Sequence, residues 1–275
     1  MITNYLSIDV EDYFQVDAFS SVIDPKKWDD YECRVERNTR KILNLFSKYD
    51  VYATFFVTGW IAERYPQLVF EIEQSGHKIG CHSYWHRKVY TLSPEEFRED
   101  TRRTKDILED ITGKPVLGYR APSYSITRQS LWALDILAEL GFTYDSSIFP
   151  VYHDTYGIPG TPRFEYPLEK QHMTEYPIST LRLPGISLPI GGGGYFRLFP
   201  YWFTRAALTN INEREGKPFL FYLHPWELDP EQPRITKAGW KSRFRHYNNL
   251  GKTENRLTRL LADFSFQPID QSLGS

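Results

Sequence analysis

A repeated order narrows the fold of this chain most: a short apolar run, polar residues directly after it, then a helical pattern. Tyr5-Leu6-Ser7-Ile8-Asp9-Val10 reads as a buried strand, and Arg37–Tyr49 carries Ile42, Leu43, Leu45 and Phe46 at helical spacing. Tyr52–Val57 is a second strand; a helix over about Ile61–Ser75 stops at Gly76, and Lys78–Cys81 is a third strand. Ser93-Pro94-Glu95-Glu96 joins a Ser cap, a first-turn Pro and acids that complement the helix dipole, starting a helix that ends at Gly113. Val116–Tyr119 and Phe142–Tyr144 are further strands around a helix over Thr127–Leu140, and Pro218–Leu223 is a late buried strand. Such alternation predicts a parallel α/β fold whose chemistry sits on the C-terminal rim of the strands.

At 275 residues the chain suits one large α/β barrel, so 1–275 is read as a single domain. Residues 150–195 break the rhythm with Pro, Gly and Tyr and form an irregular insertion, with β-like pieces near Thr161–Tyr166, Met173–Pro177 and Arg182–Pro184. Gly191-Gly192-Gly193-Gly194 reads as a flexible turn, because no Gly-Lys-Ser/Thr follows to make a phosphate loop. A helix is expected over Pro200–Arg214. The basic stretch Lys237–Lys252 then leads to a last helix over Thr253–Asp263, so that 237–275 is a C-terminal extension. Net charge is −2 without long acidic or basic runs, which argues against a nucleic-acid binder. Cys33 and Cys81 are expected as reduced thiols. The N-terminus lacks a signal-peptide pattern, and no apolar run approaches the roughly 18 residues of a membrane span. The cytoplasm is therefore the expected compartment. Aromatic residues at 16% permit a carbohydrate ligand without requiring one.

The rim residues carry the chemistry. His82-Ser83-Tyr84-Trp85-His86 sets two imidazoles four residues apart, a spacing that on a helix puts both on one face. Asp9-Val10-Glu11-Asp12 supplies carboxylates at the end of the first strand. Two His and one carboxylate leave open positions on a divalent metal, most often zinc. A second carboxylate can act as base, Arg120 can hold that base ionised, and His224 can protonate a leaving amine. Set against this, Arg120 could bridge surface carboxylates, Asp145 could cap a helix, and His224 could be a core histidine.

As a set, these residues resemble the NodB-homology polysaccharide deacetylases, carbohydrate esterase family 4. That family's T-F-D-D motif is replaced here by Ser7-Ile8-Asp9-Val10-Glu11-Asp12, while its H-[ST]-x-x-H is matched in full by His82–His86. Its R-x-P with a nearby aromatic is Arg120-Ala121-Pro122-Ser123-Tyr124. Asp145-Ser146-Ser147 matches the fourth motif loosely, and Leu223-His224 is a shortened fifth. Asp9–Phe14, Tyr144–Pro150, Gly193–Arg197, His224-Pro225-Trp226-Glu227 and Phe244–Leu250 resemble the branch associated with PEP-CTERM/exosortase exopolysaccharide loci.

The resemblance implies a distorted (β/α) barrel with fewer than eight strands and removal of acetyl groups from an N-acetylated polysaccharide or oligosaccharide. It implies a catalytic group of Asp9, Arg120, Asp145 and His224, with Asp9 as base. His82 and His86 become metal ligands together with Glu11, which shares a strand face with Asp9, or Asp12, which would reach back from a bulge. Pro122, Tyr124, Leu223 and Trp226 become substrate contacts, Leu223 lining the acetyl pocket. Two other readings are a metal-independent amide hydrolase or deformylase of the same fold, and a catalytically silent carbohydrate-binding protein.

Overall fold

The computed structural model describes residues 2–153 and 156–269. Of the expected domain, insertion and extension, residues 1, 154, 155 and 270–275 lie outside the described residues. In chain order the elements are β1 (Thr3–Val10), α1 (Val35–Tyr49), β2 (Thr54–Val57), α2 (Gly59–Arg64), α3 (Pro66–Gln74), β3 (Lys78–Cys81), α4 (Pro94–Thr112), β4 (Gly118–Tyr119), α5 (Trp132–Glu139) and β5 (Tyr144–Asp145). They continue as β6 (Tyr166–Leu168), β7 (Met173–Glu175), β8 (Thr180–Leu183), β9 (Ile186–Pro189), α6 (Gly193–Leu198), α7 (Tyr201–Arg214), β10 (Leu220–Leu223), α8 (Trp240–Tyr247), α9 (Leu250–Asp263) and β11 (Ser265–Gln267).

The main sheet runs β10-β1-β2-β3-β4-β5-β7-β6, with β11 beside the start of β1. Every pairing from β10 to β7 is parallel, and only β6 lies antiparallel. It is a mixed α/β fold with a curled half-barrel sheet, as expected. The sheet counts nine strands because β6 and β11 extend the parallel run. One apolar cluster fills the space between sheet and helices; a second, with Tyr5, Phe56, Tyr144 and Leu220, lies apart from it.

Local chemistry explains most boundaries. Ser93 Oγ accepts from Glu96 N at 3.1 Å while Glu96 Oε2 accepts from Ser93 N at 2.9 Å, the reciprocal cap that starts α4. The single helix expected over Ile61–Ser75 is two, broken at Tyr65. Proline lacks an N–H to continue α2, and it starts α3 instead. The four glycines are not a loose turn. Gly192 (φ 124°) forms a bridge to Tyr222, and a Cβ there would meet the Tyr222 carbonyl oxygen at 1.9 Å, so only glycine lets this segment lie on β10.

Register decides the site. Val10 pairs with Val57, Val57 with Cys81, Cys81 with Tyr119, Tyr119 with Asp145, and Ile8 with Leu223. The strands therefore end together, and Glu11, His82, Arg120 and His224, each one residue past a strand, emerge on one rim.

Candidate active site and metal centre

Glu11, His82 and His86 come together with one ligand atom from each, all within 4.8 Å of one another. The two histidines are not on a helix. They flank a loop in which Ser83 (φ 59°) and His86 (φ 50°) are left-handed. Ser83 Oγ accepts from His86 N at 3.0 Å, and the buried Asp100 carboxylate accepts from Tyr84 N at 2.6 Å. These bonds cross the strained turn and direct both rings inward. His82 Nδ1 donates to the Arg120 carbonyl at 2.8 Å, which fixes the tautomer and leaves Nε2 as a free lone pair. Burial pushes the His82 pKa down to about 4, so the ring is neutral, as a ligand must be. Glu11 Oε2 is buried, accepts no hydrogen bond, and lies 2.6 Å from His86 Nε2. Burial would raise the Glu11 pKa, but His86 and the other two imidazoles outweigh it and bring it to about 2. A buried carboxylate oxygen without a donor, facing two imidazoles, fits a divalent cation.

Beside this cluster Asp9 meets Arg120, Nη1 to Oδ1 at 2.6 Å. Arg120 is fully buried: Nη1 also donates to Ser7 Oγ, while Nε and Nη2 donate to the Ser146 carbonyl and hydroxyl. Its guanidinium lies 4.2 Å over the Phe56 ring. Across the rim, His224 Nε2 is 3.4 Å from Glu11 Oε1 and 3.9 Å from Asp9 Oδ2. Its Nδ1 donates to Glu227 Oε1 at 2.8 Å, and Arg197 Nε holds Glu227 at 2.5 Å. Burial opposes protonation of His224, but the hydrogen bond to Glu227 and the charges of Glu11 and Glu227 lift its pKa to about 9. A cavity of about 210 Å³ opens onto these groups, walled by Tyr124, Phe149, Tyr156, Tyr222 and Trp226.

Comparison with known proteins bears on this rim. Residues 27–144 match the polysaccharide deacetylase family model, and residues 146–274 match a domain of unknown function, DUF3473. A peptidoglycan-N-acetylglucosamine deacetylase of Bacillus cereus is 35% identical over 98 residues, 35% of this chain and 36% of that protein. A peptidoglycan deacetylase of Helicobacter pylori is 29% identical over 108 residues, 39% of this chain and 36% of that protein. These matches support the polysaccharide deacetylase family. The chain spans about a third of the length of the curated relatives it matches. A family 4 carbohydrate esterase from Streptomyces lividans shares the fold at TM-score 0.53 and 15% identity, over 99% of this chain and 95% of its own. A family 4 pseudoenzyme from Bacillus anthracis shares it at 0.50 and 16%, over 97% and 63%. The polysaccharide deacetylase match contains His82, His86 and Arg120, whereas Asp9 and Glu11 precede it and His224 falls within the second match.

Against the deacetylase motifs, four expected site residues lie off the cavity. Asp12 is turned away from the imidazoles: Oδ2 accepts from Arg34 N at 2.5 Å and Val35 N at 2.9 Å, so it caps α1 rather than reaching back. Leu223 packs in the large core, because strand alternation gives the cavity to Tyr222 and His224. Asp145 is buried behind the rim, opposite Glu175 on β7. Pro122 is buried in the turn that presents Ser123 and Tyr124 to the cavity. The sequence reading missed Tyr222, which alternation from His224 would have found, and Glu227, three residues past His224 in a turn. Tyr156 comes from the insertion, where no periodic signal exists, and Phe149 lies just before it.

The Asp145–Glu175 pair yields a pH prediction. Ser147 Oγ donates to Asp145 Oδ1 at 2.5 Å and Ile148 N to Glu175 Oε1 at 2.9 Å, while Asp145 Oδ2 and Glu175 Oε2 receive no hydrogen bond. Burial pushes Asp145 up to about 6, and burial with the Asp145 charge raises Glu175 well above the carboxylate range. An acid with a raised folded pKa binds its proton more tightly folded than unfolded. Its stability contribution is therefore full below the unfolded value and is lost as pH rises through the folded one. Denaturant unfolding should show the protein losing stability as pH rises from about 4 through about 6 and beyond, and Glu175→Gln should remove roughly 1–3 kcal/mol of that loss. Equal pH slopes for both proteins would count against Glu175 as a source of it.

Proposed function

We propose that the protein is a metal-dependent N-deacetylase acting on amino sugars of an exopolysaccharide or its precursor. One observation carries this: Glu11, His82 and His86 face one cavity together with the Asp9–Arg120 pair and His224, whose Nε2 lies 3.9 Å from Asp9. A divalent cation, with zinc favoured by the two-nitrogen, one-oxygen donor set, supplies Lewis-acid polarisation of the acetyl carbonyl. Asp9 accepts the proton of the attacking water, and Arg120 keeps that carboxylate oriented. His224 delivers a proton from Nε2 to the departing amine, its Nδ1–H fixed on Glu227. The aromatic walls exclude water and offer ring faces to a sugar.

A silent carbohydrate binder would need the same walls but not the proton-handling groups on both sides of the cluster. The fold alone does not discriminate, since a pseudoenzyme shares it. Acetate release from acetylated chito-oligosaccharides, with and without chelator, tests the proposal. Turnover should vanish on chelation and return with zinc. His82→Ala should lose both bound metal and turnover, since two remaining protein ligands hold an open-site ion poorly. A His82→Ala protein with full metal content and unchanged turnover would move the centre elsewhere.

A further inference from the structure

We propose that α8 forms an outer subsite for an anionic stretch of the glycan, so that the polymer entering the cavity carries carboxylate or phosphate groups on neighbouring sugars. The inference rests on the deacetylase reading and names the substrate class more closely. From Gln232 to Thr253 the chain has Arg234, Lys237, Lys241, Arg243, Arg245 and Lys252 and not one Asp or Glu. Such a run in a chain of net charge −2 is a local feature that the catalytic groups do not use. Lys237, Lys241 and Arg245 are exposed, and among the described residues none of the three forms an ion pair.

The helix has a defined outward face. His246 is buried and stacks on Trp226 at 4.2 Å and 17°. With 3.6 residues per turn, Lys241 and Phe244 then fall on the opposite side, with Trp240 and Arg245 on its two flanks. Trp240 is 73% exposed and Phe244 56%. Two bare rings between cations suit a chain of sugars bearing anions, the rings meeting apolar sugar faces and the cations the acids.

Continuity ties this face to the reaction. Trp226, on which His246 stacks, lines the cavity. Phe19, next to the cavity-lining Ala18, contacts His246 and Tyr247 at ring distances of 4.6 and 6.0 Å. Arg245 lies near enough to Tyr156, another wall residue, that its charge opposes the rise burial imposes on that phenol. The cavity, at about 210 Å³, has the room of roughly seven waters, so a polymer must leave it across the surrounding surface. Of the acids at the cavity, Asp9 is engaged by Arg120, Asp17 by Lys88 and Glu11 by the His82–His86 cluster, and none pairs with a cation of α8. Basic aromatic helices also dock on anionic bilayers. Arg245, on the flank of α8 whose charge is felt at the cavity-wall residue Tyr156, favours the glycan, because a ligand reaching that flank lies beside the cavity.

The experiment compares two acetylated probes on the intact protein: hyaluronan oligosaccharides, which alternate acetylated amino sugars with carboxylates, and neutral acetylated chito-oligosaccharides of equal length. Binding is followed by calorimetry at low and high salt. Hyaluronan should bind about tenfold more tightly at low salt, with the advantage lost at high salt. The double variant K241E/R245E should abolish that preference and leave chito-oligosaccharide affinity, acetate release from it and the circular dichroism spectrum unchanged. Equal affinity for both probes, or a preference that survives K241E/R245E, overturns the proposal. So does sedimentation with phosphatidylglycerol vesicles that depends on Lys241 and Arg245 while hyaluronan shows no preference, which would make α8 a lipid-docking helix. Acetate release from chito-oligosaccharides is read separately, so the outer subsite can fail while the deacetylase reading stands.

Discussion

Asp9→Asn should leave metal content intact and reduce acetate release by roughly 10² to 10⁴. Asparagine keeps the shape of the side chain and an acceptor oxygen for Arg120, but it cannot take a proton from water. The loss therefore falls on the proton-transfer step rather than on binding, and kcat should drop while KM moves little. Arg120 sits fully buried and, among the described residues, ion-pairs with Asp9 alone at 2.6 Å, so neutralising Asp9 leaves an uncompensated charge. A fall in Tm is expected alongside the kinetic loss, and a folded circular dichroism spectrum keeps the two separable. Arg120→Ala is a poorer probe of the same step. Its side chain also donates to Ser7, to the Ser146 carbonyl and to the Ser146 hydroxyl, so removing it dismantles the support of two strands. Loss of metal from Asp9→Asn would exchange the roles of Asp9 and Glu11.

His224→Ala should keep fold and metal and lose roughly 10² to 10⁴ in rate on amide substrates. An amine is a poor leaving group unless it is protonated, and His224 is the imidazole whose Nε2 lies 3.9 Å from Asp9 on the neighbouring strand end. The bond from Nδ1 to Glu227, itself anchored by Arg197, keeps the ring charged near neutrality and aims Nε2 at the cavity. An activated aryl acetate releases a phenolate that needs no proton, so the same variant should lose far less on that substrate. Equal losses on both substrates would remove the acid role and return His224 to a structural part of the wall.

The parallel strands β1, β2, β3 and β10 were legible because each is a short apolar run closed by polar residues, and β3 was bounded to the residue, whereas β11 was not read. The α4 start was legible because its cap is written in four consecutive side chains. Errors fell where a local rule met a tertiary contact. The imidazole pair reads as helical from its spacing, but Ser83 and Asp100 hold it as a loop. The four glycines read as slack, but β10 packs against Gly192. Among the acids, alternation alone puts Glu11 beside Asp9, whereas Asp12 was an open alternative until the start of α1 claimed its carboxylate.

By itself the sequence determined the α/β alternation, the common rim and the residue types able to hold a cation and move protons, since periodicity and strand ends are local properties of the chain. Which of those residues meet was decided only by the tertiary structure. Parallel register brings Asp9, His82, Arg120 and His224 from positions more than 200 residues apart to one cavity, and hydrogen bonds to Glu227, Arg197 and the Arg120 carbonyl fix their rings. The wall from Tyr156 and the basic face of α8 depend on how an aperiodic insertion and a C-terminal extension pack, and long-range packing has no period to read.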